Sequence, residues 1–90
     1  MKIFFNGWFG GFFEKTNPGL HVDFFLNLFK IVYNQDCHVG TYENSNILCE
    51  FDMLLGSKSV VKSKDWKHTF LFSGESSLKC KKENYTCVLW

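Results

Sequence analysis

The sequence predicts an α/β domain built on a mostly parallel, Rossmann-like sheet of about five strands. Three observations lead to this prediction. An apolar segment is followed by a helical pattern and then by several further apolar runs, which is the order expected of βαβ units. These runs are continuous rather than alternating, as is typical of strands buried on both faces. With 90 residues, the chain forms at most one domain.

The first strand is predicted over residues 2–8, KIFFNGW, and a loop rich in glycine and aromatic residues follows it. Asn17 and Pro18 then predict a helix start, because Asn caps a first turn and Pro fits the first helical position. The helix is expected to end near Asn34. Its polar residues share one stripe, and they are Asp23, Asn27, Lys30 and Asn34. The remaining apolar arc is wider than a one-sided helix needs, which leaves homo-oligomerisation through this helix open.

The remaining apolar runs predict four more strands, over residues 37–42, 51–57, 68–74 and 85–90. A polar turn at 43–46 and a short turn after residue 57 separate them. Only one strong helix is available to cover the sheet, so one sheet face is expected to lack cover within this chain. We therefore expect the chain to be part of a larger protein.

Composition excludes several classes of function. The formal charge of +1 gives no electrostatic footprint for nucleic acid. No stretch reaches the roughly 20 apolar residues of a membrane span. The three histidines form no ligand pair with a cysteine, so no metal site is expected. The four cysteines contain no CxxC spacing, and we expect reduced thiols in a cytoplasmic protein.

Ligands of open α/β sheets bind at the carboxyl ends of the strands, where loops 7–11, 56–59 and 73–76 are expected to meet. The first loop lacks GxGxxG spacing and the second lacks the leading glycine of a phosphate loop, which disfavours a flavodoxin-like nucleotide binder. Glu75 follows an apolar strand directly. It is either a solvated carboxylate that caps the next segment or a partly desolvated general base with a raised pKa.

A family resemblance rests on three segments. FDMLLGSKSVVKSKDWKHTFLFSGES, residues 51–76, resembles the acceptor-domain segment of the α-1,3-fucosyltransferases, glycosyltransferase family 10. There a strand and a Gly-rich turn precede a lysine-containing linker and a strand that ends in a Gly-Glu pair. KIFFNGWFGG is similar to the family's first strand and its aromatic-glycine turn, and YTCVLW is similar to the strand after the Gly-Glu loop.

The resemblance implies the N-terminal half of a GT-B enzyme that binds a sugar acceptor over residues 1–90. It implies transfer of fucose from GDP-fucose, with inversion, to a glycan containing N-acetylglucosamine or glucose. Glu75 would be the general base, and the implied acceptor-binding residues are Trp8, Phe9, Gly10, Gly74 and Ser76. No cofactor is implied, since GDP-fucose would bind a donor domain outside these residues. A membrane-anchored parent would place the chain in the Golgi lumen instead. The alternative is a non-catalytic α/β binding or interaction module.

Overall fold

The computed structural model describes residues 1–14, 21–52, 58–73 and 84–89. One helix and five strands lie in these ranges: β1 (Lys2–Asn6), α1 (Val22–Tyr33), β2 (His38–Val39), β3 (Ile47–Phe51), β4 (His68–Phe72) and β5 (Cys87–Leu89). The strands form one sheet in the order β2-β1-β3-β4-β5, and every neighbouring pair is parallel. This confirms the predicted α/β class with a parallel, Rossmann-like sheet.

One face of the sheet packs against α1. In β1, Ile3 and Phe5 are buried, while Phe4 between them points to the other face, as the two-residue period of a strand requires. The parallel register aligns Phe5 with Cys49 and Cys49 with Phe70, so these side chains share the helix-facing side. The helix contributes three buried residues to the same core, Val22, Phe25 and Phe29.

Helix α1 starts later than the sequence predicted. His21 has extended backbone angles, and its Nδ1 accepts a hydrogen bond of 3.0 Å from the backbone N–H of Asp23, so His21 is the N-cap. The predicted cap at Asn17 lies outside the described residues, and a helix continuous from there is wrong because His21 interrupts it. The predicted end is confirmed, since Asn34 adopts the left-handed conformation with φ of 53°.

Strand β3 lies four residues earlier than predicted. The sequence prediction placed it over 51–57, but the strand runs from Ile47 to Phe51, and Glu50 lies inside it, fully buried. A buried acid counts against a core strand unless hydrogen bonds compensate for the loss of water. Residues 53–57 lie outside the described ranges. Strands β4 and β5 both fall within their predicted ranges.

The second face of the sheet is also covered, contrary to the expectation of a bare face. Leu71 of β4 has no exposed surface and packs with Tyr85, Val61 and Val88. Among the described residues, this cover comes from irregular segments rather than from a helix, which is why a count of helices missed it.

The Lys64 side chain and its aromatic neighbours extend this cover near the amino ends of the strands. Phe4 of β1 stacks on Trp66, with ring planes only 4° apart. The Lys64 ammonium lies over the rings of both Tyr42 and Trp66 and donates hydrogen bonds to the carbonyls of Tyr42 and Ser45. The lysine therefore ties residues 58–66 to the turn before β3. Across the described ranges, no helix is long and apolar enough to cross a membrane.

Candidate functional site

The carboxyl edge of the sheet is the candidate site. The chain leaves β1 toward β2 on one side, and β3 returns to the other side of β1, so the strand order reverses there. In open α/β sheets this reversal leaves a crevice outside the carboxyl ends of the two central strands, where ligands bind. Here those ends are Asn6 of β1 and Glu50 and Phe51 of β3, with Asn6 and Glu50 in register.

Glu50 is the centre of a buried hydrogen-bond network at this edge. Its Oε1 accepts hydrogen bonds from the hydroxyls of Tyr85 at 2.5 Å and Ser59 at 2.6 Å. Its Oε2 accepts from Asn6 Nδ2 at 2.8 Å and from the backbone N–H of Val60 at 3.0 Å. The carboxylate therefore has four donors, two on each oxygen.

The network joins segments that are far apart in sequence. Asn6 belongs to β1, Ser59 and Val60 belong to the segment after β3, and Tyr85 lies two positions before the start of β5. A buried carboxylate needs such donors to offset lost hydration, and here both carboxylate oxygens are already engaged by protein donors. We therefore interpret Glu50 as the residue that positions the carboxyl edge rather than as a base.

Trp8 lies at the same edge but on the helix-facing side of the sheet, where it contacts the core. Its ring stacks on Phe12 at a centroid distance of 4.1 Å and on Phe51 at 4.8 Å. Its Nε1 donates a hydrogen bond of 3.0 Å to the carbonyl of Cys49. It also lies 5.9 Å from the ring of Phe72 at the end of β4. The aromatic turn after β1 thus contacts the ends of both β3 and β4.

The predicted acceptor residues of this turn differ in their accessibility. The Trp8 side chain is half-buried and packed as just described, and Phe9 is half-buried beside it. Gly10 is exposed, and a Cβ added there would meet no atom of the described residues within 4 Å. Gly10 therefore leaves open space in which a ligand has access to the backbone.

The other predicted site residues lie outside the described ranges. They are the general base Glu75 and its neighbours Gly74 and Ser76. The described part of β4 ends with Phe72, and the residue after it, Ser73, is 2% exposed. Ser59 of the predicted 56–59 loop donates its hydroxyl to Glu50, so this hydroxyl is already engaged.

Glu50 is the residue that sequence reasoning missed. A signal was present, because Glu50 and Asp52 interrupt the apolar run ILCEFDMLL at 47–55, and both are buried. Acids are almost never fully buried unless they are paired, so two within one apolar run indicate specific partners. The sequence prediction instead began the strand at Phe51 and left residues 47–50 unassigned.

Burial also affects the neighbouring thiol. Desolvation raises the pKa of Cys49 well above its ordinary value, and the adjacent Glu50 carboxylate adds to the effect. A thiol that stays protonated at neutral pH is a poor nucleophile. Within the described ranges, no three His, Cys, Asp or Glu side chains are grouped so as to hold a metal ion.

A polar cleft of about 460 Å³ lies at the opposite edge of the sheet. Residues at its rim include Lys2 and Lys67 from the amino ends of β1 and β4, and Asn44 from the turn before β3. Parallel α/β sheets place their ligands at the carboxyl edge, so the Glu50 edge remains the stronger candidate.

Comparison with known proteins adds no assignment. No family model, no curated protein and no solved structure matches this chain. Function has to be inferred from the residues and from their placement on the sheet.

Proposed function

We propose that this chain is the acceptor-binding part of a fucosyltransferase with GT-B architecture. In this proposal, fucose passes from GDP-fucose to a glycan containing N-acetylglucosamine or glucose, with inversion at the anomeric carbon. Glu75 is the general base, and GDP-fucose binds a donor domain outside these 90 residues. The resemblance of residues 51–76 to the α-1,3-fucosyltransferases provides the chemistry, and the sheet provides the supporting geometry.

The supporting observation is that β1, β3 and β4 are adjacent and parallel. The aromatic-glycine turn of the resemblance follows β1 in the sequence and the Gly-Glu pair follows β4, so both come after the carboxyl ends of these strands. The contact between Trp8 and Phe72 shows that the turn after β1 reaches the end of β4. An acceptor at this edge would meet the aromatic-glycine turn and the start of the Gly-Glu segment together.

The chain itself limits how far the proposed base can be from this edge. Glu75 follows Phe72 by three positions, and three residues span at most about 11 Å from Cα to Cα. A general base must come within about 2.6–3.2 Å of the hydroxyl that it deprotonates. A carboxylate tethered this closely to β4 can serve an acceptor held beside Trp8 and Gly10.

The proposed reaction is a single displacement. The Glu75 carboxylate takes the proton of an acceptor hydroxyl, and the oxygen attacks the anomeric carbon of the fucose from the face opposite GDP. The bond between that carbon and the phosphate oxygen breaks, and GDP leaves with the electron pair. Holding donor and acceptor together provides a large part of the rate enhancement, so both domains are needed for turnover.

The test joins the 90-residue chain to the donor-binding domain of an α-1,3-fucosyltransferase and measures fucose transfer to N-acetylglucosamine disaccharides. Removing a general base lowers kcat by about 10²–10⁴, so we expect a loss of this size for Glu75→Gln. Glu43→Gln is the matched control, because Glu43 is an exposed acid at the amino edge. Full transfer by the Glu75→Gln variant would exclude Glu75 as the base.

A second candidate is a non-catalytic α/β binding module, and the strand order favours it. The order β2-β1-β3-β4-β5 is that of flavodoxin-like domains, which bind small ligands at this switch point. One fold supports many functions, so the order alone does not decide between the candidates. Tight binding of GDP or flavin mononucleotide by the isolated chain, measured by tryptophan fluorescence, would favour the binding module.

A further inference from the structure

The turn after β1 presents one aromatic ring to solvent. Phe12 has no exposed surface, whereas the adjacent Phe13 is 51% exposed. Exposed phenylalanines occur singly on many proteins and need a second feature before they indicate a site. Here the second feature is Gly10 in the same turn, beside which no described residue fills the space.

Backbone hydrogen bonds hold this turn in place. The N–H of Phe12 donates to the carbonyl of Phe9 at 3.2 Å, and the N–H of Glu14 donates to Gly11 at 3.0 Å. The carbonyl of Phe12 accepts a further bond of 2.9 Å from Val22 at the start of α1. The backbone that carries the exposed ring is therefore held in place before any ligand arrives, which lowers the entropy cost of binding.

The ring of Phe13 is itself supported by the core. It packs almost perpendicular to Phe12, at a centroid distance of 5.0 Å, and almost perpendicular to Phe5 at 6.3 Å. Trp8, by contrast, is stacked on two neighbours and bonded through its Nε1. Among the described aromatic residues of this turn, Phe13 has the largest exposed fraction, and Trp8 has the more complete packing.

We infer that Phe13 is the ring on which the acceptor sugar stacks, with Gly10 leaving room for the sugar and Glu14 offering a carboxylate to its hydroxyls. This inference rests on the proposed function. A pyranose ring presents a face of C–H groups with slight positive charge, and an aromatic face is negative, so the two attract each other while both lose water. The exposed Glu14 carboxylate accepts hydrogen bonds from hydroxyls.

The inference changes the expected role of Trp8. In the proposed acceptor site, Trp8 packs between the turn and the core, and Phe13 contacts the sugar. Substituting Trp8 would disturb the core and the sugar site together, whereas substituting Phe13, which is 51% exposed, would remove fewer core contacts. This difference makes Phe13 the better residue for a test.

The test measures binding of two disaccharides, N,N′-diacetylchitobiose and cellobiose, to the 90-residue chain by heteronuclear NMR titration. We expect Phe13→Ala to raise Kd about tenfold, a loss typical of truncating an aromatic anchor. Phe13→Tyr, which keeps the ring, should retain affinity. Phe24→Ala is the matched control, because Phe24 is 58% exposed on α1. Thermal unfolding of each variant checks that the fold is intact.

The outcomes separate the two proposals. Saturable binding that Phe13→Ala leaves unchanged would overturn the role of Phe13 while the acceptor function stands. An equal loss in Phe24→Ala would also overturn it, because the effect would then be non-specific. A wild-type chain that binds neither disaccharide would overturn the acceptor function and the role of Phe13 together.

Discussion

Replacing Glu50 by alanine tests whether the buried carboxylate holds the carboxyl edge together. The substitution removes the acceptor of four hydrogen bonds, from Tyr85, Ser59, Asn6 and the Val60 N–H. Asn6 is already paired with Glu50 in the sheet, but the other three donors lie in segments that no described strand pairing joins to β3. The effect on stability should therefore be large and cooperative.

The size of the stability loss depends on whether each donor finds another acceptor once the Glu50 side chain is removed. The hydroxyls of Ser59 and Tyr85 are 3.0 Å apart and can bond to each other, and Asn6 Nδ2 keeps a 3.3 Å contact with the Lys58 carbonyl. The Val60 N–H loses its acceptor in a half-buried position, where an unsatisfied donor costs up to about 1–3 kcal/mol. The removed side chain also leaves a cavity. The substitution also removes the cost of burying a charge, which offsets part of this loss. We expect the free energy of unfolding to fall by about 4 kcal/mol in total.

Glu50→Gln should destabilise the protein much less than Glu50→Ala, and its side-chain amide should adopt a single orientation. The donors on the Oε2 side, Asn6 Nδ2 and the Val60 N–H, cannot become acceptors, so the amide oxygen must face them. The hydroxyls of Ser59 and Tyr85 can accept, so the amide NH₂ can face those two groups. We expect Glu50→Gln to cost about 1–2 kcal/mol, mainly through loss of charge-assisted bonds.

Urea unfolding, monitored by tryptophan fluorescence, measures these differences in the free energy of unfolding. The exposed Glu43 provides the control, because Glu43→Ala should change stability by no more than about 0.5 kcal/mol. A domain of this size has a total stability of roughly 5–15 kcal/mol, so Glu50→Ala should bring it near the folding threshold. A loss below about 1 kcal/mol for Glu50→Ala would refute the interpretation of Glu50 as the organiser of this edge.

Two further predictions follow from the geometry. Gly40→Ala should lower the free energy of unfolding by about 1–3 kcal/mol, because the new Cβ would lie 2.1 Å from Ser45 Oγ. Gly10→Ala, at an open position, should leave it almost unchanged. Equal losses for the two variants in urea unfolding would contradict this prediction. Stability should fall as pH rises above the ordinary thiol pKa of 9.0, because Cys49 has a raised pKa when folded and ionises more readily when unfolded. Cys49→Ala should reduce that pH dependence, and an unchanged slope would contradict the assignment to Cys49.

The sequence predicted the fold best where local signals agree. Strand β4 is an apolar run bounded by polar residues, and the structure places it within one or two residues of the prediction. The end of α1 was predictable because Asn tolerates the left-handed conformation that stops a helix. Its start was not, because Asn17-Pro18 matches the local rules for a cap and His21 does not, although His21 accepts the capping hydrogen bond.

The candidate site was less predictable because its partners are distant in sequence. Glu50 is compatible with a buried strand only when Asn6 and Tyr85 reach it, and they lie 44 and 35 positions away. No local pattern around β3 contains that information. The cover of the second sheet face has the same origin, since Leu71 is buried by Val61 and Tyr85 from irregular segments. Side-chain complementarity of this kind becomes visible only when the topology is known.

The parallel arrangement of the strands also has a consequence during protein synthesis. Asn6 and its register partner Glu50 are 44 positions apart, so β1 emerges from the ribosome long before β3 exists. Because translation proceeds at about 5–20 residues per second, β3 is synthesised roughly 2–9 s after the apolar segment KIFF of β1. During this interval its unpaired backbone and two phenylalanines are open to other nascent chains. A pulse-labelled translation reaction should therefore show chaperone binding to this segment that declines once β3 has left the ribosome.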